Sequence, residues 1–148
     1  MAFLDMLAWS EGTDNGKQPT YDQGYDVIVG GKLFTGYVDH PREVVLLSKL
    51  GIKSTAAGHY QLLLRYYDAY RRLLGLKDFS PLSQDLIAIQ QIRERRALEL
   101  IKAGHVVNAI SFARNIWANL PGAGYGQHER KLDDFLEAYR NAGGVVVS

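Results

Sequence analysis

The chain has 148 residues, 47% of them hydrophobic and 22% charged, a balance suited to one folded domain with one substantial core. Its 17 basic and 16 acidic residues leave a net charge of +1, which gives no electrostatic case for nucleic acid or an anionic membrane as main partner. There are no cysteines, so disulfides, thiol chemistry and cysteine-type zinc sites are excluded.

The segment from Met1 to Asp5 lacks the basic stretch and long apolar core of a secretory signal, and every apolar run is far too short for a membrane span. The expectation is a soluble chain made in the cytoplasm, with no stable membrane insertion.

The first element is an apolar helix. Phe3, Leu4, Leu7 and Ala8 recur at helical spacing, and Glu11 follows Leu4 by seven positions and Leu7 by four, on the same face. Gly12 reads as the stop. Burial, the negative end of the helix dipole and Asp14 just beyond would each raise the pKa of Glu11. A carboxylic acid kept protonated near neutral pH can serve as general acid toward a glycosidic oxygen. The plainer reading is a solvent-facing glutamate paired with Lys17.

A polar, turn-rich stretch leads to Tyr25–Phe34, where two apolar runs flank Gly30 and Gly31 as a hairpin signal. The spacing predicts a short helical turn around Val44 to Leu47. It then predicts a helix from Tyr60 to Leu74 stopped by Gly75, and another opened by Ser80-Pro81 that runs to about Lys102. In that second helix Leu86, Ile89, Ile92 and Ile101 face inward. Two more helices are expected over Val106–Leu120 and Gln127–Asn141. The whole is α+β, mostly helical, with a small hairpin region and a cleft beside it into which Glu11 opens.

Two loops carry further signals. Ser54 to Gln61 (STAAGHYQ) combines small residues and a glycine that let backbone approach a ligand. Tyr60 and Gln61 are expected in the first turn of the following helix, with polar tips near the cleft. An ordinary loop capped by Ser54 or Thr55 explains the same residues. Pro121 to Gly126 (PGAGYG) reads as a mobile lid over an extended sugar chain, with Tyr125 as its large side chain, or as a plain helix connection. His40, His59, His105 and His128 are scattered without metal-ligand spacing, so no metal and no cofactor is expected. Trp9 and Trp117 are candidate stacking platforms for a pyranose, with core packing the simpler role.

These stretches together resemble one family, the endolysins of the phage lambda type, lytic transglycosylases that act on peptidoglycan. The resemblance is carried by AFLDMLAWSEGTDNG (from Ala2), GYDVIVGGKLF (from Gly24), GHYQL (from Gly58), LGLKDFSPLSQ (from Leu74) and NIWANLPGAGYGQ (from Asn115), in that order. It spans Ala2 to about Gly144, departing in a short N-terminus and in the tail. It implies a lysozyme-like fold, one catalytic domain over 1–148, and Glu11 of the Ser-Glu-Gly motif as the catalytic acid. It also implies a cleft closed by the loops around Ser54–Gly58 and Pro121–Gly126. Candidate substrate contacts are Ser54, Tyr60, Gln61, Tyr125, Gln127 and Asp26.

The implied reaction cleaves the bond between N-acetylmuramic acid and N-acetylglucosamine with one acid and no water, leaving a 1,6-anhydro sugar. The implied setting is a monomer made in the host cytoplasm. A separate holin releases it to act on glycan strands in the periplasm. T-even phage lysozymes place an Asp nine residues after the Glu, and here that position is Thr20. Asp26 at the start of the hairpin is the available second carboxylate for a hydrolytic muramidase. A module that grips glycan without cutting it is the rival from outside enzymology.

Overall fold

The computed structural model describes residues 1–49, 51–117 and 132–147. Six helices and one two-stranded sheet are seen among them: α1 (Ala2–Glu11), β1 (Val45–Leu47), β2 (Ile52–Ser54), α2 (Leu64–Leu74), α3 (Pro81–Glu94), α4 (Leu98–Lys102), α5 (Val106–Ala113) and α6 (Leu132–Asn141). The chain divides into two compact units, Met1–Ser10 with Ala88–Ser148, and Glu11–Ile87.

The first unit is helical. α1 buries Phe3, Leu4, Met6, Leu7 and Ala8. α5 buries Val106, Ala109, Ile110 and Ala113, an i, i+3, i+4, i+7 stripe. α6 buries Phe135 and Tyr139 one turn apart, and carries Asp133 and Asp134 in its first turn and Arg140 in its last, the order the helix dipole favours. Trp9, half-buried, meets Phe135 edge-on at 5.7 Å, and Trp117 is buried. Both tryptophans thus take the packing role that competed with sugar stacking.

The second unit holds the sheet and its own core of Ala57, Leu62, Tyr67, Phe79 and Ile87, with Phe34, Tyr70, Leu74 and Leu76 against it. Burying a Phe-sized side chain contributes about 1.5–3 kcal/mol, so Tyr67 and Phe79 dominate this small core. α2 stops as its sequence predicts. Gly75 takes a left-handed φ of 66°, and Leu76 N–H reaches Arg71 O at 2.9 Å. α3 opens as predicted too: Ser80 Oγ accepts Ser83 N–H at 3.3 Å.

Five expectations are corrected. Val44–Leu47 is not a helical turn: Val45–Leu47 pairs antiparallel with Ile52–Ser54, the β-branched residues and Gly51 (φ 64°) making a hairpin. The predicted hairpin at Tyr25–Phe34 forms only as a Val27–Leu33 bridge, whose neighbour Ile28 pairs onward with Ala57. α2 begins at Leu64, since Ala57 and Leu62 bridge and Gln61 has a φ of 53° that no α-helix accepts. The helix from Pro81 ends at Glu94: Arg96 turns left-handed (φ 61°), Ala97 N–H reaches Ile92 O at 3.1 Å, and Ala97 is fully buried. Leu86, expected inside, is 39% exposed.

Candidate active site

Glu11 is the last residue of α1 and is half-buried, less enclosed than its apolar spacing suggests. Gly12 follows at φ 78°, the left-handed turn that ends the helix. The chain is then tied down at once. Thr13 is buried, and its Oγ1 donates to His59 O at 2.6 Å. Gly24 packs so closely behind that a Cβ there would lie 2.5 Å from Thr13 O. The residues after Glu11 are therefore held against the Gly58–Leu62 segment by a buried hydrogen bond.

That segment is over-determined. Gly58 has a φ of 85°, and an added Cβ would meet Gln84 Oε1 at 2.3 Å and the Phe79 ring at 2.9 Å. His59 N–H donates to Gln84 Oε1 at 2.8 Å, while Gln84 Nε2 donates to Phe79 O (2.9 Å) and Tyr25 O (3.3 Å). The His59 ring stacks on Tyr25 with centroids 4.0 Å apart. Asp85, next along α3, accepts the hydroxyls of Tyr25 (2.9 Å) and Tyr60 (2.6 Å). Burial first, and the Asp85 hydrogen bond second, push the Tyr60 hydroxyl far above its ordinary range, so it keeps its proton.

These facts decide what each candidate side chain can offer. Tyr60 and Gln61 lie in the turn before α2, not in its first turn. Tyr60 is only 5% exposed and spends its one proton on Asp85, so it positions the segment instead of presenting a tip. Gln61 donates both amide hydrogens inward, to Gly58 O at 2.9 Å and Val27 O at 3.2 Å. Both partners are carbonyls, so the amide orientation is fixed and its oxygen is the polar atom left. Ser54 Oγ accepts Ala56 N–H, and Thr55 Oγ1 caps α2 by accepting Leu64 N–H at 3.0 Å. Tyr125, Gln127 and the rest of the predicted lid lie outside the described residues, as does His128.

Asp26 is 5% exposed, with both oxygens engaged by its own loop: Thr20 donates its hydroxyl to Oδ1, and Tyr21 N–H reaches Oδ2 at 3.0 Å. Thr20 Oγ1 in turn accepts Gly24 N–H at 2.8 Å. Asp22 accepts the Tyr37 hydroxyl at 2.5 Å. His40, buried among Tyr67 and Phe79, faces Leu62 O with Nε2 at 3.0 Å and accepts Arg42 N–H on Nδ1. It is a packing histidine, and burial holds its pKa below 6.5.

Sequence reasoning missed Thr13, Gln84, Asp85 and His40 as the residues that hold the site together. The Ser-Pro-Leu-Ser-Gln-Asp run at Ser80 was the one available signal, since it places two polar residues one turn inside a helix whose neighbours are apolar.

The model of the Endolysin family matches residues 1–146. An endolysin of Escherichia phage lambda is 63% identical over 145 residues, covering 98% of this chain and 91% of that protein. An endolysin of Escherichia phage P2 is 54% identical over 153 residues, covering 97% and 92%. The fold matches bacteriophage lambda lysozyme solved in complex with a chitohexasaccharide, at a TM-score of 0.96 and 62% identity, over 99% of this chain and 94% of that one. A further structure of lysozyme from bacteriophage lambda matches at 0.92 and 61% identity. The chain therefore belongs to the endolysin family, the lysozyme-like phage proteins that degrade peptidoglycan.

Proposed function

We propose that the chain is a lytic transglycosylase that cleaves the β-1,4 bond between N-acetylmuramic acid and N-acetylglucosamine, with Glu11 as its one catalytic carboxyl. Glu11 donates its proton to the bridging oxygen as the anomeric C–O bond breaks. The muramic C6 hydroxyl attacks the anomeric carbon, and its proton passes to the Glu11 carboxylate, restoring the acid. Intramolecular attack supplies the nucleophile by proximity, so no second carboxylate and no water are needed.

The observation that carries this reading is the state of three other carboxylates of the same unit. Asp22, Asp26 and Asp85 each accept hydroxyl or backbone donors from their own surroundings. Asp26, the second carboxylate of a hydrolytic scheme, has both oxygens committed and almost no exposure, which leaves it ill-suited to take a proton from water. The Gln61 amide oxygen is a dipole available to the sugar as positive charge builds on it. Ser54 borders the same segment, and the family resemblance adds Tyr125 and Gln127 as substrate contacts. The lambda relative's complex with a chitohexasaccharide supports an extended glycan as ligand.

Among the described residues no helix is long and apolar enough to cross a membrane. Release from the host cytoplasm through a separate holin, and action as a monomer in the periplasm, complete the proposal. Digestion of purified peptidoglycan followed by mass spectrometry tests it. Anhydromuropeptides are expected. Reducing-end products one water heavier would assign a hydrolase, and no soluble product would assign a glycan-binding module.

A further inference from the structure

Within the Glu11–Ile87 unit, an open groove of about 560 Å³ runs between the β1–β2 hairpin and the start of α2. Its lining includes apolar Val44, Leu63 and Leu64 together with Lys53, Arg65 and Asp68. The volume is that of a small-molecule site. The charges are unequal in their commitments. Asp68 is held by Arg42, whose guanidinium reaches it at 2.8 and 3.2 Å and also bonds Asp39, so its charge is partly offset from outside the groove. Among the described residues neither Lys53 nor Arg65 has a carboxylate partner. Arg65 is steadied by Tyr66, with its guanidinium 4.9 Å from the ring centre and Nη2 3.3 Å from the hydroxyl.

The groove therefore presents two cations without a carboxylate partner among the described residues, beside apolar Val44, Leu63 and Leu64. That combination fits a short peptide bearing carboxylates and aliphatic side chains. It also borders the segment that holds the turn after Glu11. Ser54 and Thr55 line it, and the chain runs on through Ala56 and Ala57 to Gly58–Leu62, where His59 O holds Thr13 two residues past Glu11. Peptidoglycan carries peptides of that chemistry on its muramic residues. We infer that this groove binds the carboxylate-bearing peptide stem of peptidoglycan, with Lys53 and Arg65 as its recognition cations. The inference rests on peptidoglycan being the substrate; it does not depend on how the glycosidic bond is cut.

The test compares two substrates for the full chain and its double variant Lys53→Gln, Arg65→Gln: peptidoglycan with its stems, and glycan strands stripped of stems by an amidase. On stem-bearing substrate the variant's KM should rise about threefold to tenfold with kcat unchanged, the loss expected for two exposed charge contacts. On stripped glycan both parameters should stay at wild-type values, which also certifies folding. A variant KM unchanged from wild type on stem-bearing substrate, or an equal rise on both substrates, overturns the inference. Nuclear magnetic resonance supplies a second readout with the free tetrapeptide stem as probe. Its addition should shift the amides of Lys53, Ser54, Thr55 and Arg65, and a stem with amidated carboxylates should not; matching responses from the two peptides would overturn the inference. Hydrolytic products in place of anhydro sugars would reject the transglycosylase and leave the KM comparison readable.

Discussion

Two carboxyls in the second unit differ in what surrounds them, and the difference separates catalysis from scaffolding. Glu11 closes a helix and is half-buried, so the Glu11→Gln change keeps its volume and removes only the transferable proton. Peptidoglycan cleavage should fall by about 100-fold or more, the scale of losing a general acid, while the melting temperature stays level or rises. Turbidity clearing and calorimetry read the two quantities, and a variant that cuts at the wild-type rate ends the one-acid mechanism. Asp26 is the opposite case, because its two oxygens take the Thr20 hydroxyl and Tyr21 N–H. An amide has one acceptor oxygen, so Asp26→Asn sets a donor against a donor and costs about 1–3 kcal/mol. Cleavage should persist at temperatures where the variant is folded; complete loss there would restore the two-carboxylate scheme.

Elements begin and end here for reasons of two kinds. Where a glycine or a cap residue marks the boundary, as at Gly75 and Ser80, local sequence predicts the stop or the start. The break between α3 and α4 has no such mark. Arg96 occupies the left-handed position where glycine is easiest, and it does so because Ala97 goes into the interior. Replacing Arg96 by Gly should therefore stabilise the fold by about 1 kcal/mol, a rise of about 2–4 °C in melting temperature. Gly58 is the converse. Its φ of 85° and the contacts its Cβ would make with Gln84 and Phe79 predict that Gly58→Ala destabilises by about 3 kcal/mol or more. Denaturant titration checks both, and a neutral Gly58→Ala would mean the segment carrying Tyr60 and Gln61 is less constrained than its hydrogen bonds imply.

The pH response of the whole molecule follows from groups whose pKa values folding lowers. His40 is held neutral, chiefly by burial, among Arg42, Asp39 and Asp68. Below its ordinary value of 6.5 the unfolded chain takes up a proton that the folded chain resists, so stability present above 6.5 is lost as the pH falls toward the folded value. Asp39 and Asp68, lowered mainly by hydrogen bonds from Arg42, and Asp78, lowered mainly by the Ser83 hydroxyl, act later. Their contribution is intact above 3.8 and disappears as the pH falls through their folded values. Melting temperature against pH should decline in two stages. His40→Gln should flatten the upper stage and leave the lower one in place; an unchanged upper stage would clear His40 of the effect.

Periodicity and punctuation in the chain were enough to place a mostly helical fold, the helix that ends in Glu11, the Gly75 and Ser80 boundaries, and Ser54 to Gln61 as a segment of interest, because those features arise within one or two turns of backbone. The strand at Val45–Leu47, the break at Arg96 and the inward turn of Tyr60 were decided elsewhere. Each depends on a partner distant in sequence: Ile52–Ser54 for the strand, the buried site for Ala97, and Asp85 for the tyrosine hydroxyl. A short apolar run satisfies a helix and a hairpin equally well, and a polar tip satisfies solvent and a buried carboxylate equally well. Only the completed core removes one option from each pair, by burying surface that the local sequence leaves undecided.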